Sequence, residues 1–357
     1  MKKFFSLLAV ILAVTLAIAL VSCLNNNRED GDPFGEKCLN FILNSDGESY
    51  SVAGFGTYQS YDIIIPKTFH GLPVTSIGDN AFGESYTYPA ESITSVIIPD
   101  SITSIGNNAF DGCTSITSIV IPDSVTSIGN DAFNNCTSLE SVVIGNSVES
   151  IGDFAFAYCT SLISVEIPDS VRSIGFMAFR RCYSLERVVI GDSVIRIDDG
   201  AFAECSSLRD VVLGNSVIKI GDAAFAETSL TSVEIPDSVK SIGQGAFAST
   251  PLIRVKIPDS VTDIGYGSFS KCLSLKNVEI GNSVKVIGEE AFLECESLER
   301  VEISASVEEI GEEAFSDCRA LTVIIFKGTI EQWNKISFGK GWDNNVPAED
   351  IYFTVVE

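Results

Sequence analysis

The stretch Leu139-Glu140-Ser141-Val142-Val143-Ile144-Gly145-Asn146-Ser147-Val148-Glu149-Ser150-Ile151-Gly152-Asp153-Phe154-Ala155-Phe156-Ala157-Tyr158-Cys159-Thr160-Ser161 decides the fold, because it recurs along most of the chain. A Phe stands at Phe82 and Phe110, then at every 22nd or 23rd residue to Phe315. Ile lies five residues before each of these Phe positions, and Gly follows that Ile everywhere except at Asp198. Several units replace Gly145-Asn146 by Pro-Asp, as in Pro122-Asp123 and Pro168-Asp169. One unit is too small to bury its own Leu, Val, Ile and Phe, so those residues must pack on their counterparts in the next unit. The result is a solenoid.

Within the unit, Leu-x-x-Val-x-Ile has the two-residue period of a strand, and a strand repeated on every coil builds a parallel sheet. Eleven coils at sheet spacing would extend roughly 50 Å. Pro or Gly then ends the strand, and Asp or Asn beside Ser supplies turn chemistry. The second apolar pair, Val-x-x-Ile-Gly, is compatible with another short strand. Ala-Phe-x-x-Cys is spaced like one turn of α- or 3₁₀-helix with Phe plugging the interior. The fold class that follows is a β-rich solenoid, with a parallel sheet on one face and short strands or helical turns elsewhere.

The run Ile121-Pro122-Asp123-Ser124-Val125-Thr126-Ser127-Ile128-Gly129-Asn130-Asp131-Ala132-Phe133-Asn134-Asn135-Cys136-Thr137-Ser138-Leu139 closely resembles the BspA-like, or Treponema pallidum-type, bacterial leucine-rich repeats. The likeness covers about residues 70–326 and recurs in register some ten times. Gly71-Leu72-Pro73-Val74-Thr75-Ser76-Ile77-Gly78 resembles the opening coil of such arrays. Lys327-Gly328-Thr329-Ile330-Glu331-Gln332-Trp333-Asn334-Lys335-Ile336, with Trp342, resembles their exit segment. The resemblance implies a cell-surface interaction protein whose relatives bind host matrix proteins or other bacteria. Fold transfers well between such relatives and ligand does not.

The 357 residues include 48 Asp and Glu against 23 Lys and Arg, a formal charge of −25 that repels nucleic acid and anionic lipid headgroups. An apolar fraction of 45% is too high for a disordered acidic chain, so the acidity belongs to a solvated surface. Residues 1–22 read as an export signal: Lys2 and Lys3 precede an uncharged apolar run, and Leu20-Val21-Ser22-Cys23 resembles a bacterial lipobox. A retained membrane span is the alternative. On the lipobox reading Cys23 carries the lipid, 23–37 is a flexible tether, 38–70 an N-terminal capping module, 71–326 the repeats and 327–357 a C-terminal cap.

Of the ten Cys, Cys38 stands alone, and Cys113, Cys136, Cys159, Cys182, Cys205, Cys272, Cys295 and Cys318 each follow a repeat Phe by three residues. Export invites a disulfide reading. Stacked parallel positions, however, point their Cβ atoms the same way, and Thr228 and Thr250 fill the same column. Free buried thiols that donate weakly to backbone carbonyls are favoured. No Cys-x-x-Cys or His pairing marks a zinc site. The only His, His70, lies outside the regular coils, so the recurring Ser residues lack a general base and His70 reads as a loop residue. The column of Asp100, Asp123, Asp169, Asp192, Asp237 and Asp259 suits a calcium ladder or turn capping; Asn146, Asn215 and Asn282 in the same slot favour capping. Acidic pairs for glycoside hydrolysis are too common here to single out, and the repeats offer no unique cleft. A non-enzymatic chain without cofactor or metal is expected.

The residue between strand Val and Ile faces away from the core. Down this column Ile97, Val120, Val143, Val189 and Val212 form an aliphatic partner-facing stripe, interrupted by Glu166 and giving way to Glu234, Lys256, Glu279 and Glu302 before Ile325. Two other readings compete: β-branched residues simply suiting strands, and a loop covering the column. The expected partners are an extracellular protein or glycan, with membrane attachment through Cys23, no nucleic acid and a monomeric chain. The alternative is an envelope scaffold or spacer without a specific ligand.

Overall fold

The computed structural model describes residues 39–56, 61–83, 90–348 and 351–354. It is a parallel β-solenoid whose coils have three sides, each joined to the next coil by backbone hydrogen bonds. On the first side, the strands Ser118–Val120, Ser141–Val143, Ser164–Ile167, Arg187–Ile190 and Asp210–Val212 form a five-stranded sheet. A second five-stranded sheet runs from Arg254–Lys256 to Ile351–Phe353. Equivalent residues pair without offset, as in Val165 with Val188 and Val188 with Val211. On the second side, two-residue strands such as Ser127–Ile128 and Ser150–Ile151 join a fifteen-stranded sheet. This second strand thus forms the longer continuous sheet.

The Ala-Phe-x-x-Cys side forms consecutive turns, whereas its spacing had pointed to a turn of helix. Asn134 and Cys136 N–H donate within their coil, to Asp131 and Phe133 O, at 3.1 and 3.3 Å. Asp131, Phe133 and Asn135 N–H instead donate to Asp153, Ala155 and Ala157 O of the next coil, each at 2.8 Å. A helix would keep its hydrogen bonds within the segment. Left-handed φ values at Asp131 (54°) and Asn135 (58°) turn alternate N–H groups toward the neighbouring coil.

The two sheets of the first side are separated by 231–235, which carries no strand. The usual Cys-x-x-Leu spacing loses one residue here, giving Thr228-Ser229-Leu230, and again at Thr250-Pro251-Leu252. The coil after Leu230 leaves the ladder, whereas the equally shortened coil after Leu252 keeps it through Arg254–Lys256, and Val233 and Ile235 are only partly buried where Val255 and Ile257 are buried. The turn and second-strand sides pass through this point unbroken: Phe225 N–H reaches Ala246 O at 2.8 Å, and Lys219–Ile220 pairs with Ser241–Ile242.

The interior is a column of parallel rings. From Phe110 to Phe315, successive centroids lie 5.1 to 5.5 Å apart with interplanar angles of 5 to 8°, and every ring is fully buried. Each end of the stack meets an aromatic edge. Phe55 abuts Phe82 at 5.4 Å and 81°, and Trp342 abuts Phe315 at 6.2 Å and 85°. Such edge-to-face contact suits the ring quadrupole and closes the column without another coil. At the amino-terminal end, Leu39–Leu43 pairs antiparallel with Tyr50–Phe55. At the other end, a single helical turn, Ile330–Trp333, begins with a capping box formed by Thr329 and Gln332.

Beside the rings runs the thiol column. All eight Cys in it are free and buried. Cys136 Sγ donates to Phe110 O at 3.3 Å, and Cys159 Sγ to Phe133 O at 3.2 Å, always one coil back. The same Phe carbonyl accepts its own coil's Cys N–H. Thr228 and Thr250 instead bond Phe225 and Phe247 O of their own coils, at 2.9 and 2.8 Å. Burial pushes the Cys136 and Cys159 thiols well above their ordinary range.

Close stacking also explains the Gly that follows the repeat Ile in every coil but the one with Asp198. A Cβ on Gly152 would sit 2.6 Å from the Gly129 carbonyl carbon, inside contact distance.

Phe179→Ala should cost about 3–5 kcal/mol in urea unfolding, with hydrogen-exchange protection falling first in the adjoining coils. The eight column thiols should resist alkylation in the native protein even at alkaline pH. They should become modified on denaturation, as read by peptide mass mapping; labelling of the native thiols would contradict their burial.

Candidate interaction surfaces

The first-side sheet presents one row of side chains outward. Register places Val143 beside Val120 and Val212 beside Val189. Ile97, Val120, Val143 and Val189 are half-buried and Val212 is 45% exposed; the four Val residues share the outward face of the five-stranded sheet, whereas Ile97 stands on Ser95–Ile97, which forms a separate two-stranded sheet with Asp62–Ile64. Glu166, paired with Val189, divides the row into two aliphatic segments. In the two-stranded sheet Asp62–Ile64 pairs with Ser95–Ile97 and sets Ile64 against Ile97, adding a further aliphatic side chain. Sequence reading missed Ile64 because it lies 33 residues before Ile97, outside the repeat spacing; the apolar run Ile63-Ile64-Ile65 was the available signal.

Charge replaces the aliphatics toward the carboxyl end. Lys327 Nζ lies 2.9 Å from Glu302 Oε2 and 3.6 Å from Glu279 Oε1, while Arg300 Nη2 lies 2.6 Å from Glu302 Oε1. Hydrogen bonds from Arg300 and Lys327 hold the Glu302 carboxyl below its ordinary range. Burial works against the charge on Lys327, yet these two carboxylates hold its pKa above the ordinary value. The face therefore has an apolar segment and a locally paired ionic segment.

The Asp column lies at a corner of the coil and binds backbone. Asp123 Oδ1 accepts Asn146 N–H at 2.7 Å, Asp169 Oδ1 accepts Asp192 N–H at 2.7 Å, and Asp259 Oδ1 accepts Asn282 N–H at 2.8 Å. Each carboxylate thus caps the turn of the following coil. The neighbouring Ser hydroxyls do the converse. Ser124 Oγ donates to Ile102 O at 2.6 Å and Ser170 Oγ to Val148 O at 2.7 Å, which commits them to the coil-to-coil network.

His70 stacks on Phe69 at 4.1 Å and 14°, with φ of 48°, in the turn between two short antiparallel strands. Among the described residues, no group of three or more His, Cys, Asp or Glu converges as a metal site. Nor is any described helix long and apolar enough to cross a membrane. Cys23 and Cys38, the export signal and the tether lie outside the described residues.

The repeats match the model of the BspA type leucine-rich repeat region, in overlapping segments 55–139, 75–209, 128–254 and 218–342. Among solved structures, a leucine-rich repeat protein from Bacteroides ovatus is 25% identical, with a TM-score of 0.61, covering 88% of this chain and 92% of its own. A leucine-rich cell surface protein from Faecalibacterium prausnitzii is 30% identical over 85% of this chain and 97% of its own, with a TM-score of 0.44. The leucine-rich repeat protein of Treponema pallidum is 32% identical over 54% of this chain and 87% of its own, with a TM-score of 0.49. No curated protein matches the chain. With the repeat model spanning residues 55 to 342, this chain belongs to the BspA-type leucine-rich repeat family.

Proposed function

We propose that the chain is a non-enzymatic surface protein that captures an extracellular protein or glycan on its first-side sheet. The observation that carries this reading is the aliphatic row. Ile97, Val120, Val143, Val189 and Val212 remain partly open to solvent, although a coil built only for stability would need no apolar side chain there. A rigid parallel sheet presents such a row with little ordering cost on binding. The F. prausnitzii relative, described as a cell surface protein, agrees with display outside the cell.

Attachment through a lipid on Cys23 rests on the lipobox-like Leu20-Val21-Ser22-Cys23, with 23–37 as the lipidated tether. The catalytic alternatives have less support. The one His stacks in a hairpin turn, and Ser124, Ser170, Asp123, Asp169 and Asp259 are committed to backbone hydrogen bonds.

Arrays of extracellular-matrix proteins and of glycans, probed with the fragment starting at Asn25, should yield a partner. The Val120→Asp, Val143→Asp, Val189→Asp triple variant should lose that partner while circular dichroism and melting temperature stay close to wild type. Undiminished capture would rule out this face, and no capture by wild type would favour the spacer reading. Cys23→Ser should release the chain from membranes, and mass spectrometry of the mature amino terminus should find diacylglycerol only on the unsubstituted protein.

A further inference from the structure

One stretch of the chain carries charge of a single sign. Residues 68–171 contain twelve Asp and Glu and no Lys or Arg. They build the coils that present Val120, Val143 and Glu166. The next cation, Arg172, leads into the second-side strand Ser173–Ile174. The cations that border the first side are already matched. Lys67 Nζ lies 2.6 Å from Asp100 Oδ1, Arg187 pairs with Asp210, and Arg209 Nη2 lies 3.3 Å from Glu186 Oε1. Among the described residues no cation pairs with Glu140 or Glu166, and both are exposed.

Glu166 stands inside the aliphatic row. Ser141 pairs with Ser164 and Glu166 with Val189, which gives the outward order Val120, Val143, Glu166, Val189, Val212. The Phe rings of these coils repeat at 5.1 to 5.2 Å, and that repeat sets the step of the row. Four steps, roughly 21 Å, equal about 14 residues of α-helix. A helix thus sets its side chains i, i+3, i+7, i+10 and i+14 opposite the five positions. An extended chain presents same-face side chains about 6.6–6.8 Å apart and falls out of register after two coils. The strands are short, so the face is about 10 Å wide, close to the diameter of one helix.

We propose that this face docks an amphipathic, basic protein helix along the solenoid axis, with its aliphatic stripe on the Val residues and a Lys or Arg at its centre on Glu166. The assignment rests on the sheet face being the capture site and names the chemistry of what is captured. A basic helix is drawn to coils that hold carboxylates and no cation of their own. A glycan fits less well, because no aromatic side chain stands among the outward residues of this sheet to stack a sugar ring. Strand addition has no edge within the sheet, whose inner strands pair on both sides. The turn side of the same coils is acidic too, but it offers no apolar row. There Asn107, Asn130 and Asp153 Oδ1 accept the next coil's N–H at 2.8 to 2.9 Å, and Phe176 ends that ladder with a ring.

Fluorescence anisotropy with the whole protein would compare Ala- and Gln-based helical peptides that carry Leu at i, i+3, i+10 and i+14 and either Lys or Glu at i+7. A scramble of the Lys peptide and an extended control with Leu and Lys at alternate positions complete the set. Wild type should bind the Lys peptide roughly tenfold more tightly than any of the others. Glu166→Lys should reverse the preference between the Lys and Glu peptides, and Glu166→Val should abolish it. Both variants should fold, because Lys256 and Val189 fill the same slot on other coils. No binding of the Lys peptide, equal binding of the scramble or the extended control, or an unchanged preference in Glu166→Lys would overturn the proposal. If array capture is still lost in the Val120, Val143 and Val189 triple variant, the sheet face stands and only the helical partner falls. Array capture undiminished in that variant removes the face, and the helix with it.

Discussion

Every coil depends on its neighbours, because its strand ladders and the burial of its Phe ring are completed only by the coils beside it. The backbone groups of all three sides bond to the coils before and after, and Phe156 is buried only because Phe133 and Phe179 lie on its two faces. Stability in such a chain is a sum of local interfaces. The ends must therefore be closed. Here Phe55 and Trp342 set their ring edges against the terminal Phe rings, where another parallel ring would otherwise call for another coil.

The same constraint sorts polar residues from functional ones. Cys, Asp and Ser recur so regularly that each invites a chemical role, and the structure uses each to tie one coil to another. The Cys159 thiol and the Ser170 hydroxyl donate to carbonyls one coil back, and the Asp169 carboxylate accepts an N–H one coil forward. Residues that obey the repeat serve the stack, so those that break it are the better indicators of function. Phe176 in an Asn and Asp ladder and the aliphatic row on the first sheet are such departures, and both leave apolar surface open to solvent.

The interruption at 231–235 has a different origin. It coincides with the one-residue deletion before Leu230, and it separates the two five-stranded sheets of the first side. The Phe column crosses it with a centroid spacing of 5.5 Å between Phe225 and Phe247. A solenoid tolerates the loss of a ladder on one side because the other two hold the coil spacing.

Sequence alone determined the coil, its period and its interior, because Ile, Gly and Phe at fixed separations have no other way to be buried. It also determined the buried thiols, since Thr in two positions of a Cys column is incompatible with a continuous disulfide ladder. The tertiary structure decided what spacing cannot express. Whether Ala-Phe-x-x-Cys forms a helix or a pair of turns depends on left-handed backbone at Asp131 and Asn135, which becomes favourable only when the next coil accepts the redirected N–H groups. Likewise, Ile64 joins the aliphatic row and Tyr158, Arg181 and Glu204 become one stack because backbone pairing between coils places them side by side.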